Sequence, residues 1–442
     1  MTKFATLVIL VAFSRGFSQQ KVDELTSNQL KWLIPLYEHL HANPELSYYE
    51  EKTSALVAKE LRNLGFEVSE RIGKYKNPKL TCYGVVGVLR NGTGPTVLVR
   101  TDLDALPVEE KTGLPYASKV KTKTETGEET SVMHACGHDI HMTCFLGAAR
   151  VLSELRSQWR GTLLFIGQPS EERVSGSEAM LNDGLYSRFP KPDYAIALHD
   201  DASLEAGKVG LCEGYALASS NSVDITIRGV GGHGAYPHTT KDPVVMAAEV
   251  ITALQTIVSR ENSPFDPAVV TVGSIHGGTK HNIIPDEVKL QVTVRVYREE
   301  VRKSILSSIE RITKNIAEAG GVPPDRLPII NLHEDEYTPS TYNSPVLTQR
   351  LTKALQQSFG TGHVVKKEPV MGAEDFGRFS LDGTIPSCMI WLGAVDPEKF
   401  VRAKKDGSAL PSLHSPLFAP LPEPTIRTGI TTLVTSVMEL MK

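Results

Sequence analysis

The sequence has little cysteine, few aromatic residues and no excess of one charge. Only five of the 442 residues are cysteine, a low and odd count that argues against a fold held together by disulfide bonds. Lys and Arg total 47 and Asp and Glu total 51, and a net charge of −4 gives no reason to expect a nucleic-acid partner. Because 40% of the residues are hydrophobic, the chain can bury a large core, which excludes a disordered protein.

The N-terminus has the pattern of a secretory signal. Lys3 precedes a mostly apolar stretch at residues 4–13, and residues 16–18 form a small-x-small pattern. That stretch is too short to span a bilayer, so we predict a signal peptide over residues 1–18 and a periplasmic or secreted protein. A buried N-terminal strand is the alternative interpretation. No later stretch is predicted to be long and apolar enough for a membrane anchor.

The hydrophobic pattern predicts an α/β domain that is interrupted by an inserted α+β domain. Short apolar runs at residues 95–100, 161–167 and 194–198 alternate with helical stretches, which is typical of a mainly parallel, buried sheet. From residue 215 the strands instead alternate polar and apolar residues, as expected where one sheet face meets water. We therefore expect the first domain at 19–214 and 327–442, and the insertion at 215–326.

Acidic and imidazole side chains follow the three predicted core strands. Because ligands in open α/β sheets bind beyond the carboxyl ends of the strands, these side chains predict one polar site. They are Asp102 and Asp104 after the first strand, Glu171 and Glu172 after the second, and His199 after the third.

The segment at residues 134–139, with the sequence HACGHD, is the sharpest local signal. Cys136 and His138 would point about 200° apart on a helix, but in a loop they can face one ion. Thiolate with imidazole is typical zinc ligation, and manganese or cobalt stays open. Asp139 and His141 could orient such ligands. A free cysteine beside surface histidines, or a Cys136 nucleophile with a histidine base, are the alternatives.

The adjacent glutamates, Glu171 and Glu172, suit a division of labour at a metal. Neighbouring side chains in extended backbone point in opposite directions, so one can bind the ion while the other moves a proton. Such a pair of glutamates is by itself usually a solvated turn, but its position directly after a buried strand favours a functional role.

In the insertion, His233 lies in a glycine-rich loop without a phosphate-binding fingerprint. That loop is either a tight turn with exposed histidines or a means of presenting His233 to another surface.

Taken in order, the motifs resemble the aminoacylase/carboxypeptidase family of metal-dependent amidohydrolases. The resemblance is to the branch of hippurate hydrolases and auxin-conjugate (IAA-amino acid) amidohydrolases, and it covers nearly the whole mature chain. The family fold, a dinuclear metallohydrolase domain with an inserted satellite domain that often dimerises, agrees with the interrupted organisation above. The matching segments are residues 41–46, 100–107, 134–139, 168–172, 198–199, 231–233, 282–285, 371–376 and 413–416.

The resemblance implies roles for individual residues. Glu171 would be the general base, Asp102 and Asp104 would support the metal site, and His233 and Asn282 would contact the substrate or the developing oxyanion. Arg295, on a predicted satellite strand, could anchor a carboxylate. The ligands of two divalent ions, zinc or manganese, would be Cys136, His138, Glu172, His199 and His414, with Cys136 bridging.

The expected activity is hydrolysis of the amide bond of N-acyl amino acids, or of the C-terminal peptide bond of small peptides, by a metal-activated water that Glu171 deprotonates. A non-catalytic metal-binding or scaffolding protein and a Cys136-dependent thiol hydrolase are the alternatives. We also expect a homodimer through the satellite domain.

The chain departs from the family pattern beside the site: Arg173 follows Glu172 where small residues are common, and Asp200 follows His199 where an apolar residue is common.

Overall fold

The computed structural model describes residues 20–442 in full and residues 2–19 as backbone only, so the predicted signal peptide lies outside the fully described residues. The chain divides into two compact units. The first comprises the residues up to Gly214 together with Tyr342–Glu368 and Phe376–Lys442. The second comprises Tyr215–Thr341 and Pro369–Asp375. The sequence places the end of the insertion at residue 326, whereas the second unit continues to Thr341 because a strand at Ile329–Leu332 extends its sheet.

The first unit contains an eight-stranded sheet and a small hairpin. With strands numbered along the chain, they are β1 (Glu67–Ser69), β2 (Val85–Asn91), β3 (Thr96–Asp102), β4 (Lys121–Lys123), β5 (Glu129–Ser131), β6 (Gly161–Gln168), β7 (Tyr194–Glu205), β8 (Val209–Leu211), β17 (Val364–Lys366) and β18 (Ser387–Val395). The sheet order is β1-β2-β6-β3-β7-β18-β8-β17, and β4 pairs with β5. The central strands β6, β3, β7 and β18 run parallel, and β2 and β8 flank them antiparallel. The mainly parallel α/β prediction is therefore confirmed.

Helices cover the sheet of the first unit. They are α1 (Thr2–Ala42), α2 (Glu51–Asn63), α3 (His138–Glu154), α4 (Gly176–Asn182), α5 (Leu185–Arg188), α8 (Pro345–Phe359), α9 (Pro397–Asp406) and α10 (Pro422–Leu440). Helix α3 packs against α1, α10 and β3, and nearly all of its residues are buried. Consecutive residues of β3 such as Val97, Leu98 and Val99 are buried too, because helices or loops cover both faces of the strand. This packing fixes the carboxyl ends of the central strands.

The second unit is an antiparallel sheet with two helices. Its elements are β10 (Asn221–Arg228), β11 (Gly232–His233), α6 (Pro243–Thr256), β12 (Ala268–Gly277), β13 (Ile283–Ile284), β14 (Glu287–Val296), α7 (Glu299–Ala319) and β15 (Ile329–Leu332), while β9 (Gly214–Leu217) and β16 (Thr341–Asn343) lie where the chain passes between the units. The sheet order is β12-β14-β10-β15. Alternate residues of β10, namely Val223, Ile225 and Ile227, are buried with α6 and α7 residues, as the alternating pattern predicts.

One segment of the described chain, Pro243–Glu261, is long and apolar enough to cross a membrane by length and composition, with a mean hydropathy of 1.2. This differs from the expectation that no stretch after the leader would reach that threshold. Met246, Val250 and Leu254 of this segment pack into the core of the second unit. A helix that packs on a sheet passes the same test, because its buried stripe raises the mean hydropathy.

Candidate metal centre

The loop that carries Cys136 and His138 bends sharply before α3. Gly137 has a φ of 81°, in the left-handed region, and α3 begins at His138. A Cβ atom at Gly137 would lie 2.4 Å from Oδ2 of Asp200, so the position has no room for a side chain without movement of that carboxylate. The glycine thus turns the thiol and the imidazole toward one centre.

The five predicted metal ligands come together in the first unit. Cys136, His138 and His199 form one group, and Cys136, Glu172 and His414 form another, with the ligand atoms of each group within 4.8 Å of one another. Cys136 Sγ lies 3.7 Å from His199 Nε2. Glu172 Oε1 lies 3.8 Å from His138 Nε2, and its Oε2 lies 3.6 Å from His414 Nε2. Cys136 belongs to both of these groups, and its bridging role stays a prediction.

Main-chain carbonyls orient two of the histidines. His138 Nδ1 is 2.8 Å from the carbonyl oxygen of Asp104, and His199 Nδ1 is 2.8 Å from the carbonyl oxygen of Asp200. A carbonyl can only accept a hydrogen bond, so each ring donates from Nδ1 and turns Nε2 toward the cluster, where it can bind a cation. This is how metal-binding histidines are usually oriented.

Two buried polar atoms of the cluster have no hydrogen-bond partner among the described residues. They are His138 Nε2 and Glu172 Oε1, which face each other at 3.8 Å. Buried polar atoms are rarely left unpaired in folded proteins. At 3.8 Å the two atoms are too far apart to hydrogen-bond to each other, but both can bind the same cation. The residues present therefore fit a metal ion at this position.

The cluster also concentrates negative charge. Burial, together with the charges of Asp104 and Asp102, raises the pKa of Glu172 to about 8. Burial disfavours the charged form of His138, yet Asp102 and Asp104 raise the pKa of this imidazole to about 10. The shift of the His138 pKa reflects the acidic side chains around it, which would also favour a bound divalent cation.

Two buried carboxylates hold the backbone that presents Glu171 and Glu172. Oε1 of Glu50 accepts hydrogen bonds from the Ser170 backbone N–H at 2.7 Å and the Ser170 hydroxyl at 3.0 Å. The Asp104 carboxylate accepts from the N–H groups of Glu171 and Glu172 at 3.1 and 3.0 Å. Ser170 has a φ of 50°, a conformation that a residue with a side chain keeps only when its surroundings enforce it. Asp104 and Glu50 together supply that enforcement.

We expect Glu50→Ala to lower kcat by about 100-fold while KM changes by less than about threefold, because a displacement of about 1 Å at a reacting group can cost that much. Glu50→Gln keeps a carbonyl oxygen that can accept the same N–H, so most of the loss should be recovered. Steady-state kinetics, with hydrogen exchange of residues 169–174, measure both effects. Glu51→Ala is the matched control, because Glu51 is exposed and forms an ion pair with Arg71 at the surface. Equal kcat in Glu50→Ala and the wild type would contradict this role.

Of the two predicted orienting residues, His141 pairs with Asp102 beside the cluster, whereas Asp139 has a different partner. Asp102 accepts from Arg100 Nη1 at 2.7 Å and pairs with His141 Nδ1 at 2.8 Å. Asp102 Oδ2 lies 3.7 Å from His138 Nε2, so His141 acts on the cluster through this carboxylate. Asp139 instead pairs with Nδ1 of His41 at 2.7 Å. Charge-assisted contacts of this kind hold the carboxylates in fixed orientations.

His199 lies inside a strand rather than after one. Strand β7 continues to Glu205, and His199 is in register with Trp391 of β18. The strand is longer than predicted because its backbone stays paired with β18, where Asp200 is in register with Leu392 and Asp201 with Gly393. The Asp200 N–H also donates to His141 Nε2 at 2.8 Å, and Asp201 forms an ion pair with Lys367 at 2.6 Å.

His233, Asn282 and Arg295 lie in the second unit. His233 is exposed on β11, and the Gly234 N–H donates to the carbonyl oxygen of Asn282 at 2.9 Å, which holds the two residues side by side. The Ala235 N–H donates to His233 Nδ1 at 3.0 Å, so the ring proton is on Nε2 and is available for donation. Arg295 is half-buried on β14, and burial lowers the pKa of its guanidinium.

Sequence reasoning missed Glu50, which lies 120 residues before Ser170 in the chain. No local signal identifies it, because a glutamate directly before a helix is common and its partner is a backbone N–H group.

The sequence matches a family of known proteins over most of its length. The model of Peptidase family M20/M25/M40 matches residues 98–406. Thermostable carboxypeptidase 2 of Saccharolobus solfataricus is 37% identical over 371 residues, which cover 83% of this chain and 87% of that protein. Hippurate hydrolase of Campylobacter jejuni is 38% identical over 342 residues, which cover 77% of this chain and 82% of that protein.

A solved structure gives the same result for the fold. A dinuclear metal binding peptidase from the M20 family, of Bacillus subtilis, superposes with a TM-score of 0.71 at 26% identity, and the match covers 94% of this chain and 99% of that one. The family resemblance that the motifs predict is thereby confirmed. The chain belongs to peptidase family M20/M25/M40, whose fold binds a pair of metal ions.

Proposed function

We propose that this protein is a dinuclear metal-dependent amidohydrolase that cleaves the amide bond of N-acyl amino acids or the C-terminal peptide bond of small peptides. The observation that carries the proposal is the convergence of the five ligands, with Oε2 of Glu171 only 3.7 Å from His138 Nε2. The relatives named carboxypeptidase and hippurate hydrolase support the same reaction, because both names describe hydrolysis of a C–N amide bond.

Two divalent ions, zinc or manganese, would be held by Cys136, His138, Glu172, His199 and His414. The thiolate and the imidazoles favour zinc, while the carboxylate ligand also suits manganese. Bound ions of this kind make water more acidic and polarise an amide carbonyl.

The protein's own groups would then move the protons. Glu171 takes a proton from the water that attacks the carbonyl carbon, and it gives that proton to the amide nitrogen as the C–N bond breaks. His233, whose Nε2 carries the ring proton, and Asn282 would donate hydrogen bonds to the developing oxyanion. Arg295 would pair with the carboxylate of the substrate.

The reaction is tested with a panel of N-acyl amino acids and dipeptides on metal-stripped protein, with and without added zinc or manganese. We expect release of the free amino acid only after a metal is added. Metal binding without hydrolysis of any substrate would favour a non-catalytic metal-binding protein. Hydrolysis that ignores the metals but stops on alkylation would favour a Cys136 thiol hydrolase.

The proposal places the enzyme in the periplasm or outside the cell, without a membrane anchor, and as a homodimer through its second unit. The charged and apolar pattern of residues 1–18 supports export. Mass spectrometry of the exported protein should give a mature N-terminus at residue 19, and sedimentation should give its oligomeric state. An intact N-terminus on the exported protein would contradict removal of a signal peptide.

A further inference from the structure

The two groups of predicted metal ligands differ in how far water can reach them. Cys136, His138 and His199, which we call the buried group, are all buried. Cys136, Glu172 and His414, which we call the surface group, include one open member, because the His414 side chain is 55% exposed. Water and a small chelator can therefore reach the surface group while the fold stays closed around the buried group.

His414 lies on a segment of chain that packs little against the rest of the first unit. None of residues 397–417 is buried, and α9 lies within this segment. His414 itself has a φ of 65°, a backbone conformation that a residue with a side chain keeps only when its surroundings enforce it. Segments with few buried contacts open locally at a low cost in free energy. The position of His414 therefore depends on the particular contacts that hold its turn.

Main-chain hydrogen bonds hold the His414 turn against two other loops. The His414 N–H donates to the carbonyl oxygen of Ala135, the residue before Cys136, at 2.8 Å. The Lys111 N–H donates to the carbonyl oxygen of Pro416 at 2.8 Å. The loop that contains Lys111 therefore helps to assemble the surface group, although it contributes none of the predicted ligands.

A buried histidine fixes the loop that contains Lys111. Nε2 of His41 lies 3.0 Å from Oε1 of Glu110, and its Nδ1 lies 2.7 Å from Oδ2 of Asp139. An ionised carboxylate can only accept, so both ring nitrogens donate and the imidazole is charged. Burial disfavours this charge, yet Asp139 and Glu110 raise the pKa of His41 to about 10. His41 thus joins the residue that follows His138 to the residue that precedes Lys111, and it connects the two ligand groups in this way.

Glu110 ties His41 to the rest of that loop. Oε2 of Glu110 accepts a hydrogen bond from the Ser118 backbone N–H at 2.6 Å, and the Thr112 hydroxyl donates to Oε1. The Glu110 side chain is fully buried. Loss of this carboxylate should therefore free the loop, and with it the support of the surface group, without removing a predicted ligand.

We propose that His41 and Glu110 form a positioning pair that sets how long the surface group retains its cation. The surface group gives up and regains a cation while the buried group keeps its own, so the protein passes between a two-ion and a one-ion form without unfolding. The proposal rests on the ligand set of the proposed function and deepens it. It makes the supply of metal a means of regulating the enzyme.

The test measures the release of zinc from the zinc-loaded, full-length protein into an excess of a coloured zinc chelator. For the wild type we expect two phases of about one zinc per chain each, with rates that differ by about tenfold or more, because the surface group can open locally. Protein that is desalted after the fast phase should retain a single zinc per chain by mass spectrometry. His414→Ala should bind a single zinc and show the slow phase alone.

Glu110→Ala separates positioning from ligation. It should speed the fast phase by about tenfold or more and leave the slow phase within about threefold of the wild-type rate, because loss of the groups that support a ligand costs about 10- to 100-fold in metal affinity. Glu110→Gln keeps an acceptor oxygen for His41, so most of the wild-type rate should return. Glu109→Ala is the matched control, because Glu109 is the neighbouring acid and its side chain is exposed. The slow phase of each sample shows whether the rest of the site is folded.

A milder variant tests the pair if Glu110→Ala does not fold. Thr112→Val removes the hydroxyl that donates to Glu110 Oε1 and leaves every charge in place. It should speed the fast phase by about threefold or more, because a hydrogen bond to a charged group is lost.

Three results would overturn the proposal while leaving the proposed function intact. They are release of both zinc ions in a single phase, an unchanged fast phase in the variants at Glu110 and Thr112, and an equal acceleration of both phases. If the metal-stripped wild type binds no zinc at all, the proposed function itself fails, and the positioning pair fails with it.

Discussion

Glu171→Gln is expected to keep two metal ions bound and to lower kcat by about three to four orders of magnitude. The amide has nearly the shape of the carboxylate but cannot take a proton from water, and a positioned general base contributes up to about 10⁴-fold. The backbone N–H of residue 171 would still donate to Asp104 at 3.1 Å, so the loop should keep its conformation. Steady-state kinetics and the metal content of the purified variant are the measurements.

The neighbouring residue supplies a matched comparison. Glu172→Gln should instead lose metal, because Glu172 lies in the cluster with Cys136 and His414 and a neutral amide is a weaker ligand for a divalent cation. The two variants change adjacent residues by the same chemical step, so an opposite outcome for metal content separates a base from a ligand. A Glu171→Gln variant with wild-type turnover would show that the general base has been assigned wrongly.

Removal of the divalent ions with a chelator is expected to abolish hydrolysis, and about two equivalents of zinc or manganese per chain should restore it. His138 Nε2 and Glu172 Oε1 are buried and face each other, and a cation is the partner that satisfies both. Loss of that cation removes the acidity and polarisation that the reaction needs. The measurements are residual turnover after dialysis and metal content by mass spectrometry.

A ligand variant strengthens that test. His138→Ala should reduce the bound metal below two ions per chain, whereas His363→Ala should not, because His363 is exposed and outside the ligand cluster. Full activity in thoroughly chelated protein would contradict metal-dependent hydrolysis and would favour the thiol alternative.

The sequence predicts the metal-binding side chains better than it predicts the hydrogen bonds that hold their backbone in place. Few side chains bind transition metals, so Cys136 and His138 on one short loop already restrict the chemistry, and the ends of the parallel strands indicate where partners should lie. The left-handed φ of Ser170 and its hydrogen bonds to Glu50 depend on a contact across 120 residues. No local pattern encodes such a contact, because carboxylates and hydroxyls are common in loops.

The ends of strands and domains also depend on contacts between residues that are distant in the sequence. The predicted strand at residues 194–198 stops where the apolar run stops, but β7 continues because its backbone stays paired with β18 at Asp200 and Asp201. The insertion similarly extends beyond residue 326 because the strand at Ile329–Leu332 pairs with β10. In both places tertiary pairing extends an element beyond what local hydrophobicity predicts. The roles of His233, Asn282 and Arg295 stay predictions.

The carbonyl groups that hold His138 and His199 have a consequence for how the protein can change over evolution. Every amino acid supplies a peptide carbonyl, so a replacement at position 200 alters the side chain without removing the acceptor that orients the imidazole beside it. The side chains at these positions can therefore change while the carbonyl groups that orient the two histidines stay in place. The acid that directly follows His199 in this chain leaves the carbonyl group that orients the imidazole in place.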